Sequence, residues 1–295
     1  QCIAGPIVRY ADVEREIEHR QVTWNDAAQG VSRFAVGLAK KALLANGCAM
    51  IADSLLPSAA TTDLSALSSV SLLLGGLCYM LQIYLDFSAC SDMAIGMGLM
   101  VGFHYKENFN YPYAASSVTD FWRRWHISLS SFFRDYVYIP LGGNRVRVPR
   151  HILNMLIVWG LTGFWHGASW NFILWGLYYF LMLALEKYVY GKLLQKLPKI
   201  IRLIYSLFIV IIGWVFFYFE DLTSIKDMLG TMFGVSDYAL YTAGDLTTLT
   251  NNVFLLAVCV IAVTPLLKNI ADKAKSRLLA TPNGVIVNTN RCFFI

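Results

Sequence analysis

Charged residues are scarce in this chain of 295 residues, since Asp, Glu, Lys and Arg together make up only 15% of it. A soluble domain carries about 25% charged residues and about 45–50% apolar residues. Here the hydrophobic share is 57% and the mean hydropathy is +0.51. This composition excludes an ordinary soluble domain and indicates a membrane protein. The formal net charge of +5 is then better explained by lipid headgroups and orientation than by nucleic acid.

Motifs for a metal, a disulfide framework or a nucleophilic serine are also missing. No cysteine pair has the C-x-x-C spacing of a zinc site, and no G-x-S-x-G elbow is present. The cysteines are predicted to be small buried apolar residues, and they are Cys2, Cys48, Cys78, Cys90, Cys259 and Cys292. We therefore expect no metal and no bound cofactor.

Four apolar runs approach the roughly 20 residues that a helix needs to cross a bilayer. They are Ala168–Tyr190, Ile200–Phe219, Asn252–Leu267 and Leu64–Leu85. Three further runs are less regular. Val31–Ala52 carries three basic residues, which favours a helix at the interface or one lining a polar cavity. Ser91–Phe103 and Ile152–His166 are short, which favours close helix packing for the first and a re-entrant or buried helix for the second.

The middle of the chain, Glu107–Arg150, is polar, aromatic and basic, and it is interrupted by three prolines. Irregular backbone is not tolerated against lipid, and it persists at membrane depth only when protein surrounds it or water fills a cavity beside it. This segment therefore predicts a cavity or funnel. Arg123 and Arg124 lie in it and are candidates to bind the phosphates of a donor, or else lipid headgroups.

Two histidines lie in unusual surroundings. His126 follows Trp125, and His166 ends an apolar run that has no charged residue between His151 and Glu186. Ionisable groups inside membrane segments indicate function by default, although a neutral imidazole bonded to a backbone carbonyl remains an alternative. General base catalysis on an acceptor hydroxyl is the simplest chemistry for them. A nucleophilic Ser128 or Ser130 is the less favoured route.

The run Asp120–Ser130, continued by Phe133–Arg145, resembles the signature of the membrane-bound O-acyltransferase family. Within that family it is similar to the branch of bacterial alginate and peptidoglycan O-acetyltransferases. The shorter stretches Tyr84–Ser88, Glu107–Tyr113 and Gly163–Gly167 agree with it, and the resemblance runs from Gln1 to about Gly234.

The resemblance implies an all-α multi-pass fold, a ring of tilted helices around a central tunnel with re-entrant or short helices. It places His166 at the essential histidine position and His126 at the second one. The expected walls of the donor and acceptor funnel are Arg123, Arg124, Trp125, Trp165, Asp86 and Asn108. We expect residues 1–295 to be one membrane-embedded domain. Because the chain begins at Gln1 and not at Met, we expect it to be a fragment that lacks the N-terminal helices, with the last C-terminal helices as a second candidate loss.

The function that this resemblance implies is acetyl transfer from acetyl-CoA or another acyl thioester to hydroxyls of an exported polysaccharide, alginate-like or another glycan. The expected partner is an exported SGNH-hydrolase-like acetyltransferase, and the expected location is the bacterial cytoplasmic (inner) membrane. Two alternatives remain open: D-alanyl transfer to teichoic acid, and a non-enzymatic transporter or flippase with a buried proton relay.

Overall fold

The computed structural model describes residues 5–56, 68–235 and 239–279. Within these ranges the elements are helices joined by loops, with no strand, so the all-α prediction is confirmed. The α-helices are α1 Tyr10–Glu18, α2 Trp24–Ala39, α3 Asn46–Leu55, α4 Ser69–Met100, α5 Val118–Arg124, α6 Ile127–Phe133, α7 Val148–His166, α8 Trp170–Leu185, α9 Gly191–Leu194, α10 Lys199–Tyr218, α11 Leu222–Met232, α12 Ala243–Ala262 and α13 Leu266–Leu279. Short π-helical segments at Lys40–Ala45 and Glu186–Tyr190 join α2 to α3 and α8 to α9.

Five helical segments of the described residues are long and apolar enough to cross a membrane. They are Trp24–Leu55, Ser69–Met100, Trp170–Leu194, Lys199–Tyr218 and Ala243–Ala262. The spans predicted over 168–190 and 200–219 are thus confirmed. The multi-pass character is also confirmed, while the central tunnel stays a prediction.

Three of the predicted boundaries were wrong. The runs 64–85 and 91–103 belong largely to one helix, α4, because residues 86–90 contain no glycine or proline and Gly96 packs against α2 without breaking the helix; residues 64–67 lie outside the described residues. The run 252–267 was placed too late. A capping box between Thr242 and Asp245 starts α12 at Ala243, so the polar, threonine-rich first half of α12 is helical. Thr264 and Pro265 separate α12 from α13.

The basic run 31–52, expected at an interface or lining a cavity, lies within the span Trp24–Leu55, which packs along α4. Close approach explains the packing. A Cβ on Gly30 would lie 2.6 Å from the carbonyl oxygen of Gly96, and a Cβ on Gly37 would lie 2.9 Å from that of Ala89. The two backbones therefore approach each other as closely as small residues allow.

The short helix α5 lies inside the bundle and positions the turn at its C-terminal end. It packs against α8 and α10, and Phe121 and Trp125 are buried in the main apolar core. Its N-terminus is held by the buried Glu186, which accepts hydrogen bonds from the backbone N–H of Val118 (2.8 Å) and of Thr119 (3.1 Å). A carboxylate at this end also matches the helix dipole. The irregular middle segment is therefore surrounded by protein here, while the cavity or funnel beside it stays a prediction.

Candidate active site

His126 occupies the turn between α5 and α6 and is 2% exposed. Its backbone φ is 44°, in the left-handed region that residues other than glycine rarely adopt. Such a conformation costs about 1–3 kcal/mol and persists only where the surrounding structure imposes it. The position of this imidazole is therefore fixed by its neighbours at some expense in stability.

Asn108, which is completely buried, is the main polar neighbour of His126. Its Oδ1 lies 3.1 Å from Nδ1 of His126, and it also accepts hydrogen bonds from the backbone N–H (3.1 Å) and the hydroxyl (2.8 Å) of Ser128. Its Nδ2 donates to the hydroxyl of Ser91 on α4 (3.1 Å). The other imidazole nitrogen, Nε2 of His126, is buried and has no hydrogen-bond partner within the described part of the chain.

His166 is the last residue of α7 and is half-buried among aromatic rings. Its ring centroid lies 4.9 Å from that of Trp175 on α8 and 5.3 Å from that of Phe217 on α10. Close packing of α7 on α8 sets this position, since a Cβ on Gly176 would lie 2.5 Å from the carbonyl oxygen of Trp159. The walls around His166 are therefore apolar, and its imidazole is placed by helix packing.

Trp165 brings the two histidines to one place. Its ring centroid lies 4.9 Å from that of His166 and 6.2 Å from that of His126. Both histidines lie outside the five candidate spans. Burial, with a smaller contribution from His166, lowers the pKa of His126 to about 3, and burial lowers the pKa of His166 to about 4. Because a histidine is neutral above its pKa, both imidazoles are neutral near pH 7.

The remaining predicted funnel residues divide into two groups. Trp125 is buried and packs on Trp214 at 4.9 Å between ring centroids, so it forms part of the core behind the site. Arg124 is tied to Asp120 one helical turn earlier (2.9 Å) and to the carbonyl oxygen of Asn110 (3.4 Å). Arg123 is exposed. The structure thus gives Arg124 local partners, while Asn108 and Trp165 lie at the histidines.

Asp86 belongs to a different feature, a set of paired charges between the span Trp24–Leu55 and α4 with the loop that follows it, which we call the charge ladder. Its members are Arg33, Lys40, Lys41, Asp86, Asp92 and Glu107. Arg33 bonds both Asp92 (2.6 Å) and Glu107 (2.7 Å), and Lys40 bonds Asp92 (2.5 Å). Lys41 bonds Asp86 (2.6 Å). Asp86, which was expected in the wall of the funnel, is therefore paired with a lysine.

Two consecutive lysines at the start of a π-helical segment both reach α4. Lys40 and Lys41 begin the segment Lys40–Ala45, and both side chains bond carboxylates of α4. In a regular α-helix consecutive side chains diverge by about 100°. Such π-segments occur often at functional sites, but here the segment serves an ion-pair arrangement between two spans.

Metal ligands and cysteines complete the inventory of reactive groups. Among the described residues, no group of three or more His, Cys, Asp or Glu side chains is arranged to hold a metal ion. Cys48, Cys78 and Cys259 are buried, as predicted, and Cys90 is half-buried. Cys2 and Cys292 lie outside the described residues.

Sequence reasoning missed two contributors to the site. Ser91 bonds Asn108 across 17 positions of sequence, and Phe217 of α10 contacts His166. Only the overall family resemblance, which runs from Gln1 to about Gly234, covered these segments. Neither residue type indicates chemistry by itself.

Comparison with known proteins identifies the family of this chain. The model of the membrane-bound O-acyltransferase family matches residues 1–222. The chain is 42% identical to the probable alginate O-acetylase of Azotobacter vinelandii over 263 residues, which is 88% of this chain and 52% of that protein. It is 37% identical to the peptidoglycan O-acetyltransferase of Helicobacter pylori, over 81% of this chain and 46% of that protein.

A more distant relative is the teichoic acid D-alanyltransferase of Bacillus subtilis, 28% identical over 61% of this chain and 47% of that protein. The chain spans about half the length of the curated relatives it matches. The matched segment includes α2, α4 and α10, both histidines and Asn108. Because the family model matches residues 1–222 and the helices are apolar enough to cross a membrane, the chain belongs to the membrane-bound O-acyltransferase family.

Proposed function

We propose that this protein transfers an acetyl group from an activated donor to hydroxyls of an exported cell-surface polysaccharide. The observation that carries the proposal is the pair of neutral histidines that meet at Trp165 inside an aromatic site. A neutral imidazole can take a proton from an attacking hydroxyl, and acyl transfer to a hydroxyl needs such a base.

In this mechanism the donor is a thioester, acetyl-CoA or another acyl carrier. The acceptor hydroxyl oxygen attacks the thioester carbonyl carbon while His166 takes the hydroxyl proton. The C–S bond then breaks, and the thiolate leaves with the proton returned by His166. His126 orients the reacting groups or stabilises the carbonyl, and Arg123, Arg124 and the aromatic residues shape the approach. No net proton is released.

The polysaccharide acceptor is supported by the relatives that match most of this chain. The alginate and peptidoglycan O-acetylases match over 81–88% of it at 37–42% identity, whereas the D-alanyltransferase matches over 61% at 28%. Acetyl transfer is therefore preferred to D-alanyl transfer. An alginate-like polymer is the preferred acceptor.

We further infer that the protein acts in the bacterial cytoplasmic membrane, because its donor is made inside the cell and its acceptor lies outside. An exported SGNH-hydrolase-like acetyltransferase would then pass the acetyl group to the polymer when the acceptor at the site is not the sugar itself. Deleting that partner would abolish polymer acetylation without abolishing donor turnover.

The test is the acetyl ester content of surface polysaccharide in cells carrying the full-length protein or its His166→Ala variant. At matched membrane levels the variant should lose at least about 10²-fold in ester, the magnitude of general base catalysis. His19→Ala, which changes an exposed histidine, is the control and should keep full activity. Unchanged ester in His166→Ala would contradict the proposal. Transport of labelled saccharide without acyl turnover would then favour the transporter.

A further inference from the structure

The contacts of Asn108 determine where the proton of His126 lies. The orientation of an amide side chain is fixed when it faces an obligatory donor. Here the backbone N–H of Ser128 points at the Asn108 side chain at 3.1 Å, so the atom there is the carbonyl oxygen, Oδ1. The amide nitrogen, Nδ2, then faces the hydroxyl of Ser91.

The hydroxyl of Ser128 is also assigned by its neighbours. Its oxygen accepts a hydrogen bond from the backbone N–H of Ile7 (2.9 Å). Its single proton is directed to Oδ1 of Asn108 at 2.8 Å, which is much shorter than the 3.4 Å to Nδ1 of His126. The hydroxyl proton is therefore committed to Asn108.

Nδ1 of His126 must then carry a proton. It lies 3.1 Å from Oδ1 of Asn108, and an unprotonated nitrogen there would set two lone pairs against each other. In a neutral imidazole the second nitrogen is consequently the unprotonated one. That nitrogen, Nε2, is the buried atom without a partner in the described residues.

We propose that Asn108 is a positioning residue that holds His126 in the Nδ1–H tautomer, so that Nε2 presents a lone pair to a hydroxyl of the acceptor other than the reacting one. This inference rests on the proposed function and decides between the two roles left open there. A neutral Nε2 can accept a hydrogen bond but cannot donate one to the reacting carbonyl. The reacting hydroxyl has one proton, which His166 takes, so His126 orients the acceptor through a second hydroxyl, and the carbonyl oxygen must be stabilised by another group.

The same geometry argues against a nucleophilic serine. A serine attacks when a base takes its proton. The hydroxyl of Ser128 faces the protonated Nδ1 of His126, which cannot accept a proton. It donates its hydrogen bond to Oδ1 of Asn108, and an amide oxygen is not a base. Direct transfer to the acceptor hydroxyl is thus the route that this arrangement supports.

Asn108 is itself held in place from both sides. Its backbone carbonyl oxygen accepts a hydrogen bond from the N–H of Ile127 (2.9 Å), and its side chain bonds Ser91 of α4 (3.1 Å). The strained turn at His126 is therefore tied to a long membrane-spanning helix. A positioning residue needs such support to fix a ring orientation.

The test uses the full-length protein in proteoliposomes, with Asn108→Ala, Asn108→Asp and, as control, Asn110→Ala, whose side chain is exposed in the same segment. Asn108→Ala should lower kcat by about 10–100-fold, the effect of losing an outer partner of a functional histidine. Asn108→Asp places a carboxylate at Nδ1 and favours the charged imidazole. The pH below which the Asn108→Asp variant loses activity should therefore rise into the range of about pH 5–7.

The wild-type profile should stay flat in that range, because the pKa of His126 is about 3 and that of His166, the titratable neighbour that acts on it, is about 4. If Asn108 has only a structural role, its variants should yield less folded protein, while the folded molecules keep the wild-type kcat and pH–rate profile. That result would overturn the inference.

Solid-state nitrogen NMR of histidine-labelled protein reports the tautomer without any turnover. The expected result is a His126 with protonated Nδ1 and unprotonated Nε2 in the wild type, and a mixture in Asn108→Ala. A protonated Nε2 in the neutral wild-type ring would overturn the inference. If the protein has the expected tautomer but transfers no acetyl group, the position of the proton on Nδ1 of His126 is upheld and the proposed function is rejected.

Discussion

The histidine site and the charge ladder both place ionisable groups in apolar surroundings, yet they differ in how those groups are satisfied. In the ladder, every carboxylate and cation has an oppositely charged partner at 2.5–2.7 Å. At the histidine site, Nε2 of His126 is buried without a partner in the described chain, and the backbone beside it is strained. The difference teaches that burial of an ionisable group does not by itself identify function.

The ladder is best explained as a structural contact between two spans. Removing one partner of a buried ion pair is costly because it leaves a charge unpaired, whereas replacing the whole pair with apolar residues is often neutral. The histidine site should respond in the opposite way, with loss of activity and little loss of folded protein. Three substitutions test this contrast.

The largest effect on stability should come from Asp92→Ala. Asp92 bonds both Arg33 and Lys40, and its side chain is only 14% exposed, so the variant leaves two cations short of a partner. Because Glu107 still pairs with Arg33, we expect a loss of about 2–3 kcal/mol in the free energy of unfolding, somewhat less than for a fully buried pair. Thermal unfolding in detergent measures it.

The control for that variant is Asp53→Ala, which removes an exposed carboxylate from α3 and should leave the unfolding temperature unchanged. Acetyl transfer for each folded molecule should also stay near the wild-type rate in Asp92→Ala. If Asp92→Ala folds normally but is inactive, the charge ladder contributes to activity, and the distinction between the ladder and the histidine site is wrong.

A smaller effect, on both stability and activity, should result from Gly176→Ala. The added Cβ would lie 2.5 Å from the backbone carbonyl oxygen of Trp159, so α7 and α8 must separate. Overpacking of this kind costs about 1–3 kcal/mol, and it displaces His166 at the end of α7. Gly160→Ala on α7 is the control, because its Cβ would meet nothing within 4 Å. Equal behaviour of the two variants would contradict this account of how His166 is placed.

The smallest effect should come from the double variant Lys41→Met with Asp86→Leu. It removes one whole ion pair and leaves apolar side chains between α2 and α4, which we expect to be near neutral for membrane levels and for unfolding. The single variant Asp86→Leu should be worse than the double one because it strands Lys41. Loss of acetyl transfer in a well-folded double variant would instead support Asp86 as a funnel residue.

The spans show where sequence reasoning succeeds. The runs that became α8 and α10 are almost uniformly apolar, so hydropathy alone located them. The span Trp24–Leu55 was harder because Arg33, Lys40 and Lys41 interrupt it, and the carboxylates that neutralise them lie 45–74 positions away in the sequence. The early start of α12 depends on a cap made by side chains that have no apolar signal.

The sequence by itself determined that this chain is helical, lies in a membrane and carries His126 and His166 in a family signature, because composition and motifs are local properties. Only the tertiary structure decided which polar groups are satisfied. Asn108, Ser91 and His126 meet because α4, the loop before α5 and the turn after it converge. Whether a polar group has a hydrogen-bond partner depends on positions in space. The tertiary structure therefore distinguished a charge ladder whose members are paired from a histidine whose Nε2 has no partner in the described residues.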